Sequence, residues 1–568
     1  MMHETQFRVL ALAAVGLAGC IAYVNTFDGG WVWDDASSVL LHKHVQDPSK
    51  IFQLFREDQH AFGRGSGNFY RPLVSVSFMV DFLLSGAKNT SVSGSYPDIP
   101  PLLFHMTNLL WHLGAAMVLF ALLTRLGAPQ GVRAVVVVLY VLHPLHTEAV
   151  AYISGRADMM SAAFMFAGLC LVLQEGKAKK RWIAIGLGML CFCGGLLSKE
   201  SSTIFPVLLA IILLLPIMGE TDSVSRKAML KHRGVPLALS GGILLVYAIF
   251  RMTVLKFSEA GATQVSGLGQ RLVETGQAFF FYLVKLFIPT HLHMEQTLAG
   301  VPVWHAAAGW LGLAACVVFL IVAAKRQQFR IALGLAWFLA AWLPISGIFP
   351  LNAPMAEHWM YVPMAGFWWA LAEAVYLAVQ GPWARRLALA GAAGLALVFL
   401  ALTIQRNEDW HDNERLFVST LKENSNTLRV RYNLAVAYED ILKNWPAARR
   451  EYEYVLGLYG EQKRPAKGDK AAYLLPEEVD VHLSLGRLGI REGAYNRAMK
   501  HFSMVAAVQK AAEYRAQCTV AEIGMGKCFL ALGEVSEANT WFMKAITLDP
   551  SCALEVDALM TGRPVQQE

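Results

Sequence analysis

The chain has 568 residues, of which 55% are hydrophobic and only 16% are charged. This composition is too apolar for an ordinary soluble protein of this size and is typical of a membrane protein. The net charge of +6 comes without a basic patch interleaved with aromatic residues, which argues against nucleic acid as a partner.

Long apolar runs predict membrane helices, because about 17 to 25 apolar residues are enough to cross a hydrocarbon core. We predict about eleven crossings, at 6–26, 102–124, 134–153, 159–174, 182–198, 201–218, 235–254, 303–324, 331–350, 360–379 and 387–405. The first run lacks a small-residue cleavage site before its polar flank, so we interpret it as a retained span. The run 279–292 is apolar but short, and we interpret it as a re-entrant or interfacial helix, with an ordinary span as the alternative.

Basic residues between the predicted spans indicate how the chain is oriented. Lys and Arg are concentrated in the loops 175–181, 225–234, 325–330 and 384–386, whereas the short turns near 143–158, 199–200 and 351–359 carry almost none. Because Lys and Arg are retained on the cytoplasmic side, the N-terminus is predicted to be cytoplasmic. The long loop 28–101 and everything after about residue 405 are then extracytoplasmic.

Ionisable residues gather at the extracytoplasmic ends of the spans, where they are costly and therefore indicate function. They lie in the motifs FDGGWVWDDASSVL (27–40), FYRPL (69–73), HPLHTEAVAYISGRAD (143–158), SKES (198–201) and AEHWMYVP (356–363). Each motif alone also has a structural explanation. Asp34 and Asp35 can cap a helix, and Arg71 can reach the lipid headgroups. Lys199 and Glu200 can anchor the end of a span. The convergence of all of them on one membrane face favours a site.

The residue types in these motifs fit the transfer of a sugar from a polyprenyl-phosphate carrier. A carboxylate can act as general base toward an acceptor hydroxyl, and we expect Asp34 or Asp35 in this role, followed by Glu148 and Asp158. Cations can hold the departing phosphate, and four side chains are candidates: Arg71, Arg156, Lys199 and His358. Five more side chains are expected to support the site: His143, His146, Glu200, Glu357 and Tyr361. Zinc is not expected at the two histidines, which lack a clear third ligand, and the need for a divalent metal stays open.

After residue 405 the apolar runs stop and helical periodicity with charged faces begins. Three segments, 431–456, 479–505 and 521–550, carry small and aromatic residues at the spacings of tetratricopeptide repeats. Such repeats stack into an α-solenoid that binds peptides or proteins, and a generic helical tail is the alternative. The segment 460–470 is interpreted as a polar insertion.

The sequence therefore predicts an all-α chain with two domains, a polytopic membrane bundle at 1–405 and a repeat domain at 406–568. The repeat domain carries three cysteines, Cys518, Cys528 and Cys552. In an oxidising compartment they allow one disulfide, but the sequence does not fix the pair.

The order of these motifs resembles that of the transmembrane and tetratricopeptide-repeat protein O-mannosyltransferases, which are members of the GT-C glycosyltransferase superfamily. The resemblance covers nearly the whole chain. Its most specific piece is the HPLHTEAV…GRAD block, and the diacidic motif is the next most specific. The segment RNEDWHDNERLF (406–417) runs into the repeats. It implies a GT-C membrane bundle and an inverting transferase that uses a dolichyl- or polyprenyl-phosphate sugar. It also implies that Asp34 and Asp35 lie at the catalytic centre. The family usually has Arg where this chain has His358.

The resulting prediction is an integral membrane enzyme that moves mannose or another hexose from a polyprenyl-phosphate sugar to Ser or Thr hydroxyls of proteins, with no tightly bound cofactor. The compact loops and the N-terminus suggest a bacterial homologue, in which the carrier would be undecaprenyl phosphate and the repeats would be periplasmic. Two alternatives are a transferase that acts on a glycolipid or polysaccharide, and a non-catalytic scaffold that recruits partners through its repeats.

Overall fold

The structure is a computed structural model that describes residues 4–62, 68–87, 98–174, 177–215, 223–255, 267–461, 476–508 and 514–561. Within these ranges the regular structure is helical and includes no strand, which confirms the predicted all-α class. The chain divides into two compact units, Met1–Leu416 and Phe417–Glu568. Most of the predicted polar insertion 460–470 lies outside the described residues.

The helices of the first unit are α1 (Glu4–Tyr23), α2 (Pro72–Ser85), α3 (Leu102–Arg125), α4 (Gln130–Leu142), α5 (Thr147–Val150), α6 (Arg156–Val172), α7 (Ala178–Leu196), α8 (Phe205–Leu214), α9 (Ser223–Thr253), α10 (Leu268–Phe287), α11 (Trp304–Lys325), α12 (Phe329–Trp342), α13 (Pro363–Ala378) and α14 (Pro382–Asp409). They are followed by α15 (Asn413–Glu423), α16 (Leu428–Val436), α17 (Trp445–Glu461), α18 (Pro476–Arg491), α19 (Tyr495–Ala506), α20 (Arg515–Ala531), α21 (Val535–Leu548) and α22 (Ala553–Thr561). The predicted domain boundary at residue 405 falls inside α14.

Six of the described helices are long and apolar enough to cross a membrane: Glu4–Thr26, Leu102–Arg125, Ile153–Val172, Arg233–Thr253, Trp304–Lys325 and Pro382–Asp409. The pair Gln130–Leu142 and Pro144–Val150, which is bent by 53°, would make a seventh. The predicted run 134–153 is therefore not one straight helix, because Pro144 cannot continue α4. The count of about eleven crossings stays a prediction.

Much of the surface of these helices is apolar. On α11, Leu311 is 71% exposed and Phe319 is 66% exposed, and on α14 Leu387 is 69% exposed. Contiguous apolar surface of this kind is costly in water but suits a lipid environment. The first unit is therefore an integral membrane unit.

Glycines let pairs of helices in this unit approach until their backbones touch. Gly309 of α11 lies against the backbone of Gly276 in α10, and Gly334 of α12 faces Gly366 of α13. Small residues are typical of contacts between membrane helices, where close packing replaces the hydrophobic effect. Helix α10 begins at Leu268, well before the predicted run 279–292. The re-entrant placement of this run stays a prediction.

In the second unit, successive helices from α16 to α22 pack against one another. The ring of Phe502 in α19 lies against Gly486 of α18 and Gly524 of α20, so one aromatic side chain joins three helices. Gly526 packs in the same way against Phe542. The glycines and aromatic rings that mark the predicted repeats are thus in contact, and the tetratricopeptide solenoid itself stays a prediction. All eight cysteines are free, so the disulfide that the sequence allows is not formed.

Candidate active site

The diacid loop (residues 31–38) lies after α1 and contains an unusual backbone turn. Trp33 has φ +50°, a left-handed conformation that is uncommon for a bulky residue. Asp34 and Asp35 follow directly, and a π-helical turn, Ala36–Leu40, comes after them. The two neighbouring acids end in different surroundings, because Asp35 is fully buried and Asp34 is only half-buried.

The carboxylate of Asp35 is held by three hydrogen bonds. One oxygen accepts the backbone N–H of Val32 at 3.0 Å, and the other accepts the N–H and the hydroxyl of Ser154 at 2.8 and 2.7 Å. Burial raises the pKa of Asp35 to about 7 against the opposing effect of these donors, and the charge of Asp34 adds to the rise. Asp35 therefore ties the diacid loop to Ser154, and its oxygens do not face solvent.

Asp34 is half-buried, and its backbone carbonyl takes part in the turn that follows. Its carbonyl accepts the hydroxyl of Ser37 at 2.9 Å and the N–H of Ser38 at 3.0 Å. The hydroxyls of both serines also lie 2.8 and 3.1 Å from Nδ1 of His60. Burial lowers the pKa of His60 to about 3, so its ring is neutral at physiological pH. This network fixes the turn and leaves the Asp34 residue partly open to solvent.

An aromatic stack lies beside the two acids. Tyr152 lies between Trp33 and Trp410, with ring centroids 5.6 and 5.3 Å away. Burial raises the pKa of the Tyr152 hydroxyl, and the charges of Asp34, Asp35 and Glu148 raise it further. The tyrosine therefore stays protonated and lies within electrostatic reach of three carboxylates.

A second group joins two of the predicted motifs to the end of α14. Buried Glu148 faces the ring of His358 at 2.9 Å and accepts the backbone N–H of the same histidine at 2.9 Å. Buried Glu357 lies 3.3 Å from Arg406, which also pairs with Asp409 at 2.8 Å. His358 is thus bound to a carboxylate of the protein itself.

A third group contains two cations, each with its own carboxylate. Arg71 pairs with Glu200 at 3.2 Å. Lys199 donates to both oxygens of Asp158 at 2.7 Å. Burial lowers the pKa of Lys199, Asp158 opposes this, and the positive charge of Arg71 lowers it further. Arg71 and Lys199 therefore belong to one cluster.

Arg156 occupies a different position from the one predicted. It is fully buried and pairs with Asp81 at 2.6 Å. Its remaining donors bind Asn108, Ser77 and the carbonyl of Phe104. A guanidinium that is enclosed and fully used in this way holds the fold together, which argues against the predicted contact with the donor phosphate.

Three of the predicted supporting residues, His143, His146 and Tyr361, are fully buried. His143 approaches the carbonyl of Leu286 at 3.1 Å and accepts the N–H of Leu145, so it caps the break after α4 as a neutral ring. His146 is buried with its ring centroid 4.4 Å from that of Tyr361. The Tyr361 hydroxyl lies 2.7 Å from Nδ1 of His112. These contacts join helices rather than present a reactive group.

Electrostatic effects link the groups around the diacid loop. Arg71 contributes to the lowered pKa of His60, and Asp34 and Glu148 both raise the pKa of Tyr152. One region thus contains the half-buried residue Asp34 together with Arg71 and Lys199, which pair with Glu200 and Asp158. Among the described residues, no group of three His, Cys, Asp or Glu side chains is arranged to hold a metal ion.

The sequence patterns did not single out several residues that complete this region: Tyr152, Ser154, Arg406, Trp410 and Asn413. All five lie inside the motifs HPLHTEAVAYISGRAD and RNEDWHDNERLF. In the first motif the charged residues and the histidines are the candidates that stand out, and the second motif is marked by its position before the repeats. Aromatic and amide side chains in a motif next to a carboxylate pair are the signal that could have found Tyr152, Trp410 and Asn413.

Comparisons with known proteins give relatives along most of the chain, although no family model matches it. The chain is 24% identical over 498 residues to the protein O-mannosyl-transferase TMTC4 of Homo sapiens, covering 78% of this chain and 65% of the relative. It is 23% identical over 524 residues to TMTC3 of Mus musculus, covering 86% and 53%. It is 30% identical over 217 residues to Tmtc1 of Drosophila melanogaster, covering 35% and 24%. The chain thus spans about half to two thirds of the length of the first two relatives.

Solved structures also match this chain, among them that of the S. cerevisiae protein O-mannosyltransferase Pmt1-Pmt2 complex bound to the sugar donor. Its TM-score is 0.31 at 12% identity, over 48% of this chain and 36% of that chain, and a likeness this low supports no inference. The sequence relatives confirm the predicted resemblance to the transmembrane and tetratricopeptide-repeat protein O-mannosyltransferases. These relatives are animal proteins, and a bacterial source for this chain stays a prediction.

Proposed function

We propose that this chain, which is similar to protein O-mannosyl-transferases, is a membrane glycosyltransferase that moves a mannose or another hexose from a polyprenyl phosphate to protein hydroxyls. The observation that supports it most is the division of the acid pair: Asp35 is buried with three hydrogen bonds, whereas Asp34 next to it is half-buried. Such a division suits one structural and one reactive carboxylate. The proposed acceptors are Ser or Thr side chains of a polypeptide.

In this mechanism Asp34 is the general base. Its carboxylate takes the proton of the acceptor hydroxyl as the oxygen attacks the anomeric carbon of the hexose. The bond from that carbon to the phosphate oxygen breaks, and the phosphate leaves with the electron pair and its negative charge. Because attack comes from the face opposite the leaving phosphate, the anomeric configuration inverts. Asp35 keeps the loop in place through Ser154 and takes no proton from the acceptor.

The leaving phosphate needs cations, and Arg71 and Lys199 are the proposed pair. Each already holds a carboxylate, Glu200 and Asp158 respectively. Glu200 is the more exposed of the two acids, with 35% of its side chain accessible against 9% for Asp158. A phosphate can therefore replace Glu200 at Arg71 with a smaller rearrangement of the protein than it would need to replace Asp158 at Lys199.

The experiment that tests the base is sugar transfer by Asp34→Asn in purified, full-length protein, with polyprenyl-phosphate-mannose as donor and a Ser/Thr peptide as acceptor. We expect transfer to fall by about 10² to 10⁴ while donor binding persists, because removal of a general base has an effect of that order. Asp47→Asn is the matched control, since Asp47 lies in the same loop but only caps a short turn through the N–H of Ser49. Transfer by Asp34→Asn at the wild-type rate would show that Asp34 is not the base.

A further inference from the structure

A segment that the proposed mechanism does not use lies against the diacid loop. This 404–413 segment contains the last residues of α14 and ends at the first residue of α15. It is hydrogen-bonded to the stretch 22–33 at several points: Asn25 donates to Ile404 and Glu408, Asn407 donates to Ala22 and Asn25, and Gly30 donates to His411. The distances run from 2.8 to 3.0 Å. The 404–413 segment therefore holds in place the stretch 22–33, which leads to the acid pair.

Asn413 makes the contact that lies nearest in sequence to the acids. Its Oδ1 accepts the backbone N–H of Trp33 at 2.9 Å, and its Nδ2 donates to the carbonyl of Trp31 at 3.1 Å. One amide side chain thus pairs with the N–H of Trp33 and with the carbonyl of Trp31. The contact joins Asn413 to the residue that directly precedes Asp34.

Trp33 is the residue at which such support matters. Its φ of +50° is unfavourable for a bulky side chain and persists only where the surroundings hold it. Asn413 holds its backbone, and Tyr152, which is itself stacked on Trp410, holds its ring. Both supports involve the 404–413 segment.

We propose that Asn413 is a positioning residue for the acid pair: its two hydrogen bonds hold Trp33 in the left-handed conformation and thereby set the direction of the Asp34 carboxylate. This inference rests on the proposed function, because it gives Asn413 a part in the same sugar transfer. A general base must lie within hydrogen-bond reach of the proton that it takes. A rotation at Trp33 moves the next side chain as a unit, and a displacement of about 1 Å can lower a rate about a hundredfold.

The test compares Asn413→Ala, Asn413→Asp and Arg415→Ala in the full-length protein, with the same donor and peptide. Asn413→Ala is expected to lower kcat about tenfold or more, with the KM of both substrates and the melting temperature close to those of the wild type. Asn413→Asp keeps an oxygen for the N–H of Trp33 and is expected to recover part of kcat. Arg415 is the matched control, since it pairs with Glu408 and Asp412 at the surface of the same segment. Arg415→Ala is expected to transfer at the wild-type rate.

Two results would overturn the role of Asn413. One is a wild-type kcat in Asn413→Ala, and the other is a fall in kcat that follows the melting temperature in both Asn413 variants. If Asn413→Ala does not fold, Asn413→Asp decides alone, because it retains the bond to Trp33: a kcat between zero and the wild-type value at an unchanged KM supports the proposal. The base assignment fails separately, since it depends on Asp34→Asn and not on Asn413.

A double-mutant cycle with Trp33→Gly tests whether Asn413 acts through Trp33. Glycine adopts a positive φ without support. In the Trp33→Gly protein, the hydrogen bonds of Asn413 are therefore not needed to maintain this conformation. The loss caused by Asn413→Ala is expected to be smaller there by about fivefold or more, which lies within the usual range for residues in contact. Effects that simply multiply would show that Asn413 does not act through Trp33.

Discussion

Buried Asp35 makes the stability of the first unit depend on pH in a defined direction. Its pKa rises from 3.8 to about 7 on folding, so the folded state binds a proton more tightly than the unfolded state. This contribution to stability is complete below about pH 4 and is lost as the pH rises through about 7, at up to about 1.4 kcal/mol per pH unit. We therefore expect the free energy of unfolding of the wild type to fall between pH 5 and 8 relative to that of Asp35→Asn.

The measurement is thermal unfolding of both proteins in detergent across this range. His60 acts in the opposite sense, because its pKa is lowered to about 3 and its contribution is lost as the pH falls below about 6.5. His60 is present in both proteins, so the difference between them isolates Asp35. Parallel curves would mean that Asp35 does not carry the proton.

The residue types at the candidate site could be predicted from the sequence, but their pairing could not. Arg71, Lys199 and His358 stand out as charged or ionisable residues near membrane ends. Nothing in the sequence shows that each faces a carboxylate that lies far away along the chain, as Arg71 faces Glu200. Burial separates residues that look alike, since Arg156 is enclosed while Arg71 is not. These properties depend on tertiary contacts and are not visible in local patterns.

At the scale of helices, the contact between α10 and α11 depends on two glycines. A Cβ at Gly276 would lie 2.6 Å from the carbonyl oxygen of Ala306, and a Cβ at Gly309 would clash with the backbone of Gly276. We expect Gly309→Ala to push the helices apart and to lower the free energy of unfolding by about 1–3 kcal/mol. Gly242→Ala in α9 is the control, since a Cβ there meets nothing within 4 Å. Thermal unfolding in detergent measures both, and equal stability of the two variants would contradict the packing argument.

Most helices could be predicted from apolar runs, but such runs alone do not show where a helix is interrupted. The run 134–153 has the composition of one span, but Pro144 and the His143 cap divide it and place Glu148 on the short helix α5. The start of α10 does not stand out as an apolar run, because Leu268–Ala278 mixes polar and apolar residues. The apolar residues of this segment recur with the helical period of 3.6 residues and do not form an unbroken run.

At the scale of the whole molecule, the orientation of everything after α10 depends on whether this helix crosses the membrane. If 279–292 is re-entrant, as we predict, both ends of α10 lie on the extracytoplasmic side. Reporters that are active only after export, fused after Gly267 and after Gly300, should then both be active. A third fusion after Gln567 should be active as well, because the predicted number of spans is odd. Opposite results after Gly267 and Gly300 would show a crossing and would reverse the predicted side of every later loop.

The ion pairs at the candidate site determine which phosphates the site can bind. Arg71 and Lys199 each pair with a carboxylate of the protein, and the ring of His358 faces a third carboxylate, that of Glu148. A phosphate can enter only by anion exchange, in which it displaces a carboxylate that must then be hydrated. Dissolved phosphate gains little from such an exchange. A phosphate anchored in the bilayer is confined to a thin layer, where its effective concentration is far higher than its average in the cell. If the donor is a polyprenyl phosphate, as we propose, the site selects it through confinement to the membrane as much as through charge.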